Sequence, residues 1–164
     1  MPVYHVFPHS KCCDRFRREC CPSMCGLAIF FRHRPVKLYV PVALLPIAVD
    51  EVVTNFAAAL TRAVVSDNTL ELANGTFFIG HRRMGSELFI RSCYKDSSKI
   101  IIDGAINGSM DKIVVTGTPG IGKSVFGYYL LYLLRLERKT VILEQKEKWC
   151  RFSDEGVVEG RFET

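Results

Sequence analysis

The chain has 164 residues, 48% apolar and 24% charged, enough for one ordinary domain with a real core and too apolar for a generally disordered polymer. Its net charge of +5 sits in the first 40 residues, where seven Lys/Arg meet two acids, so the remainder is neutral by formal count. A membrane-spanning helix is excluded by length: the longest apolar stretch, Leu38 to Val49, is short and contains Pro41 and Pro46.

Residues 1–37 read as a basic, cysteine-rich, irregular arm. The apolar run from Gly26 to Phe31 lies behind about 25 mixed residues, a poor n-region for a secretory leader. Lys11, Arg15, Arg17, Arg18, Arg32, Arg34 and Lys37 suit contact with nucleic acid, acidic lipid or an acidic partner, or else a solvated, poorly ordered segment. Five of the seven cysteines (Cys12, Cys13, Cys20, Cys21 and Cys25) crowd together near His5, His9 and His33. The doublets lack the knuckle spacing of a zinc site, and an odd count beside a phosphate-type loop argues for reduced thiols.

Residues 38–110 form a mixed lead-in. The stretch 38–49 reads as short buried strands or an extended segment broken by prolines. Asp50 is placed as a helix N-cap, and Val52, Val53, Phe56, Leu60, Ala63 and Val64 repeat at helical spacing until Ser66-Asp67-Asn68 ends the run. Asn74-Gly75 signals a turn, and Thr76 to Ile79 a short strand or loop segment. His81-Arg82-Arg83 is a small basic cluster. Leu88 to Ile102 is apolar enough to pack, without a period that separates helix from strand. Gly104 and Gly108 mark a loop.

Residues 111–164 carry the strongest signal. Lys112 to Thr116 is β-branched and apolar, as a buried parallel strand should be. The sequence Gly117-Thr118-Pro119-Gly120-Ile121-Gly122-Lys123-Ser124 then matches the Walker A pattern GxxxxGK[ST] in full. Ser124 to Leu136 is helix-like, with a stripe of Phe126, Tyr129, Leu130, Leu133 and Leu134, and Thr140 to Leu143 is a second buried strand. The fold class expected is α/β: a partial P-loop core of strand, loop, helix and strand, preceded by a helical segment and the irregular arm.

The loop's residue types follow from what a polyphosphate needs. Gly117, Gly120 and Gly122 let the backbone turn so that amides converge on the anion, and the amides opening the helix add its positive end. Lys123 would reach the β- and γ-phosphates as a point charge, and Ser124 would offer its hydroxyl to Mg²⁺. Pro119 has no N–H and stiffens the loop. The expected cofactors are ATP or another NTP and Mg²⁺. The absence of an Asn-Lys-x-Asp-like guanine reader favours ATP.

Hydrolysis needs more: an acid on another strand to hold Mg²⁺ through water, and a group to orient the attacking water. The catalytic candidate is Glu144, at the end of Val141-Ile142-Leu143. Asp154, Glu155 and Glu159 fall in a stretch read as a polar tail with no strand before it. The catalytic half is therefore expected to be absent. Three readings follow: an incomplete nucleotide-binding module; a non-catalytic interaction protein acting through its basic arm and an open sheet edge; and a small nucleotide kinase using Glu144 or Asp103.

The runs KIVVTGTPGIGKSVFGYYLLYLL and KTVILE, with FFIGHRR and LFIRSCYKD upstream, resemble the P-loop domain of Crinkler-type proteins, effectors of oomycetes and some fungi related to the retrotransposon hot spot proteins of trypanosomes. The resemblance spans roughly residues 50–164. It implies secretion into a host cell, often a nuclear destination, and ATP-type chemistry, and carries over onto Gly117, Gly120, Gly122, Lys123 and Ser124. Such a core has further strands beyond the point where this sequence stops, so a truncated product is expected.

Overall fold

A computed structural model of the chain describes residues 3–8, 27–32, 50–106, 112–115, 117–118, 120–145 and 148–161. In chain order they form β1 (Val3–Pro8), β2 (Leu27–Arg32), α1 (Glu51–Thr61), β3 (Val64–Ser66), β4 (Thr69–Glu71), β5 (Glu87–Phe89), α2 (Ser92–Ile106), β6 (Lys112–Val115), α3 (Lys123–Leu136), β7 (Thr140–Gln145), β8 (Lys148–Ser153) and β9 (Gly156–Arg161). Three short 3₁₀ turns lie between β4 and β5.

Two sheets result, one of six strands in the order β6-β2-β1-β7-β8-β9 and one of three in the order β3-β4-β5. β1 pairs parallel with β7, Val3 opposite Thr140 through Val6 opposite Leu143, and every other pairing is antiparallel. Since β2 runs against both β1 and β6, strands β6 and β7 point the same way.

α1 begins where its cap predicts: the Asp50 carboxylate accepts from the Val52 amide at 3.0 Å, satisfying one of the orphan donors of the first turn. Val53, Phe56, Ala59 and Leu60 are its buried face. α3 is buried on most of its circumference, through Phe126, Gly127, Tyr128, Tyr129, Leu130, Leu131, Tyr132 and Leu134. It packs against α1, α2 and β7. Aromatic rings tie these layers together. Phe56 meets Phe78 and Phe152 at 6.1 Å each, the second edge-on, and Phe78 stacks on Tyr128 at 5.7 Å.

The structure corrects several expectations. The mixed α/β class holds, but β6 and β7 are not neighbours in a parallel βαβ unit, because β2 and β1 lie between them. The arm read as irregular supplies those two central strands. A strand–helix–strand pattern sets the order of its own elements, and strands from a distant part of the chain can enter the sheet between them without altering that pattern.

The tail carrying Asp154, Glu155 and Glu159 is the β8–β9 hairpin, with Glu159 buried opposite Cys150. Asp154, at its turn, accepts from Arg135 of α3 at 2.8 Å; the carboxylate is half exposed, so the pair contributes at most about 1 kcal/mol. The run from Val64 to Asn68, read as the end of a helix, instead forms β3 and the turn of a hairpin with β4. Asp67 and Asn68 take positive φ of 45° and 66°, the geometry of a two-residue primed turn.

The stretch from Leu88 to Ile102 divides into β5 and α2, and Gly104, read as loop, is buried inside α2. The segment 38–49, the cysteines before Cys93, and His9 and His33 lie outside the described residues. Among the described residues no three His, Cys, Asp or Glu side chains gather as a metal site, and no helix is long and apolar enough to cross a membrane.

Candidate functional site

The glycine loop joins the C-terminal end of β6 to the N-terminus of α3, the strand–loop–helix context its motif requires. Gly117, Thr118 and Gly120 to Ser124 are described; Pro119 is not. Gly122 is the N-cap of α3, in the left-handed region at φ 96° and ψ 22°, with no side-chain cap. The first-turn amides therefore have no side-chain acceptor at the capping position, and an anion there would meet unsatisfied donors and the positive end of the helix. Gly120 is also left-handed, at φ 80°. Side chains at these two positions would be strained whatever the space.

Lys123 folds back across the loop. Its ammonium donates to the carbonyls of Gly117 at 2.9 Å and Thr118 at 2.8 Å, so the last part of the loop is tied to the first. Lys123 is partly buried, whereas Ser124 and Ile121 are exposed. The loop is thus an arc of backbone closed by one cation, with a hydroxyl beside it.

Two residues outside the motif hold the loop's far side. Arg91, just before α2, donates from a guanidinium nitrogen to the Ile121 carbonyl at 2.9 Å. Tyr94, in the first turn of α2, donates its hydroxyl to the Gly122 carbonyl at 3.0 Å, which also accepts the Phe126 amide at 2.9 Å. A Cβ on Gly122 would collide with the Tyr94 hydroxyl, so this contact exists because position 122 is glycine. Sequence reading did not single out these two side chains for the loop. They are 30 and 28 residues away from their partners, and no local spacing signals such a contact.

Burial raises the Tyr94 phenol above its ordinary value of 10.0; the Arg91 cation opposes the shift and Cys93 adds to it. Burial likewise raises Tyr129, with Tyr132 adding and a hydrogen bond with Ser98 opposing. The folded protein holds both protons more tightly than the unfolded chain. The associated stability is complete below pH 10 and is lost as pH rises through the raised values. We expect the urea midpoint to fall above pH 10, and Tyr94→Phe to make that fall shallower; an identical alkaline slope in the variant would contradict it.

Glu144 lies near the C-terminal end of β7, opposite Trp149 on β8. β6 and β7 point the same way, so Glu144 is at the loop's end of the sheet, but three strand spacings away, about 14 Å. Asp103 is exposed on α2. The His81-Arg82-Arg83 cluster is exposed on a 3₁₀ turn.

No family model matches the chain. Over 57 residues, 35% of its length, it is 46% identical to Crinkler effector protein 15 and equally to Crinkler effector protein 16, both of Phytophthora infestans. The matched stretch is 9% of each of those proteins, so the chain spans under a tenth of the curated relatives it matches. No solved structure matches.

Proposed function

We propose that this chain binds the phosphates of a nucleoside triphosphate, ATP by preference, together with Mg²⁺, at the loop from Gly117 to Ser124. One observation carries the reading: a complete Walker A sequence between a strand and a helix, whose N-cap is a glycine without a side-chain acceptor and whose lysine closes over the loop. The first-turn amides would receive the phosphate oxygens, Lys123 would turn from the Gly117 and Thr118 carbonyls to the anion, and Ser124 would hold the metal ion. Turnover is expected to be negligible, since Glu144, the acid the sequence offers for the metal ion, stands on a strand three places along the sheet from β6.

Calorimetric titration of the purified chain tests this. ATP and ADP should bind and AMP should not. Chelation of Mg²⁺ should weaken ATP more than ADP, because the metal ion bridges β- and γ-oxygens. Indifference to all three nucleotides, with and without Mg²⁺, would remove the reading.

A second reading is a non-catalytic interaction protein. Among the described strands β6 is an edge of the large sheet, open to pairing with a partner's strand. On either reading the setting we propose is that of a Crinkler-like effector acting in a host cell, with a host protein or nucleic acid reached through the basic N-terminal residues. The short resemblance to Crinkler effector proteins supports it.

A further inference from the structure

We propose that Arg91 and Tyr94 are positioning residues that aim the Gly122 and Lys123 amides at a bound polyphosphate by holding the preceding carbonyls from behind. The inference rests on the phosphate-binding reading above and names what makes that loop a preformed site.

The geometry follows from the peptide bond. In a planar trans peptide the C=O and the following N–H point in opposite directions. Fixing the Ile121 carbonyl through Arg91 at 2.9 Å therefore fixes the direction of the Gly122 N–H. Fixing the Gly122 carbonyl through Tyr94 at 3.0 Å does the same for the Lys123 N–H. Two consecutive amides, at the point where the loop becomes helix, are thereby turned away from α2.

The clamp has a rigid base. The Tyr94 ring is buried, 5.3 Å from Phe126 and 6.5 Å from Tyr129, both on α3. The Arg91 guanidinium lies 5.9 Å from the centre of the Tyr94 ring, so the two clamp groups also attract one another. The left-handed Gly122 with no room for a Cβ completes the fit, since any side chain there would displace the Tyr94 hydroxyl. Preorganised donors give affinity because their ordering cost is met on folding and not on binding. This is what two extra hydrogen bonds to carbonyls, from outside the motif, would achieve.

The test uses the full chain with Lys123→Ala beside it. Tyr94→Phe removes the hydroxyl and keeps the ring. It should melt close to wild type below pH 9, yet bind Mg-ATP and Mg-ADP about five- to tenfold more weakly, by the same factor for both. Arg91→Ala should weaken both nucleotides by about tenfold, and Arg91→Lys, which keeps a charged donor, should recover most of that loss. In amide NMR spectra, the shifts of Gly122 and Lys123 on adding Mg-ADP should shrink in Tyr94→Phe.

If wild type binds, Lys123→Ala binds about tenfold or more weakly, and both Tyr94→Phe and Arg91→Ala keep wild-type affinity, the clamp is overturned and the phosphate site stands. If wild type itself ignores nucleotides, the site and the clamp's role in it fall together. Should Tyr94→Phe fail to fold, the exposed Arg91 pair carries the same decision.

Discussion

Lys123→Ala should weaken Mg-ATP binding by about 1.5–3 kcal/mol, roughly ten- to hundredfold, while leaving the fold intact. The loss has two sources. The ammonium is the loop's own cation, and a charge-assisted hydrogen bond to a phosphate is among the stronger single contacts a site can make. It also ties Lys123 to the Gly117 and Thr118 carbonyls, so removing it loosens the arc before any ligand arrives. Both carbonyls belong to a loop with exposed positions, where water can replace the ammonium, so the melting temperature should move little. Side-by-side titrations of wild type and variant give the answer. Equal affinity in the two proteins would mean that any nucleotide they bind sits elsewhere.

Phe56→Ala should cost about 3–5 kcal/mol of folding stability, read from urea unfolding. Phe56 is fully buried and joins three parts of the core: Phe78 of the 3₁₀ turn before the basic cluster, Phe152 of β8, and its own helix α1. Truncation leaves a cavity that Phe78 and Phe152, each packed against other groups, cannot both move to fill. Against a total of about 5–15 kcal/mol for an ordinary domain, a loss of this size removes from about a fifth of the stability to all of it. Ile100 supplies the contrast. It is 61% exposed on α2, and Ile100→Ala should change stability by no more than about 0.5 kcal/mol. A Phe56→Ala cost near that of Ile100→Ala would show that α1 is not docked as described.

The two substitutions also mark where sequence and structure each carry information. Phe56 was legible as a core position because α1 has a clean helical period and an Asp50 cap, both local features. β6, the loop, α3 and β7 were legible in order and type for the same reason. The β3–β4 hairpin was hidden because Asp67-Asn68 reads as a helix stop as readily as a primed turn. The β8–β9 hairpin was hidden because its strands hold Lys148, Arg151, Glu159 and Arg161, whose charges mask a period of two. α3 looked like a stripe and is buried more widely, since α1, α2 and β7 all pack against it.

The glycine loop, its lysine and serine, and the helix that follows could be read from neighbouring residues, because backbone freedom, motif spacing and helical period are local properties. The entry of two N-terminal strands into the sheet between β6 and β7, and the reach of Arg91 and Tyr94 to the loop's carbonyls, emerged with the folded chain. Both are pairings across long stretches of chain, set by which surfaces bury one another and not by local propensity, so no window of neighbouring residues contains them.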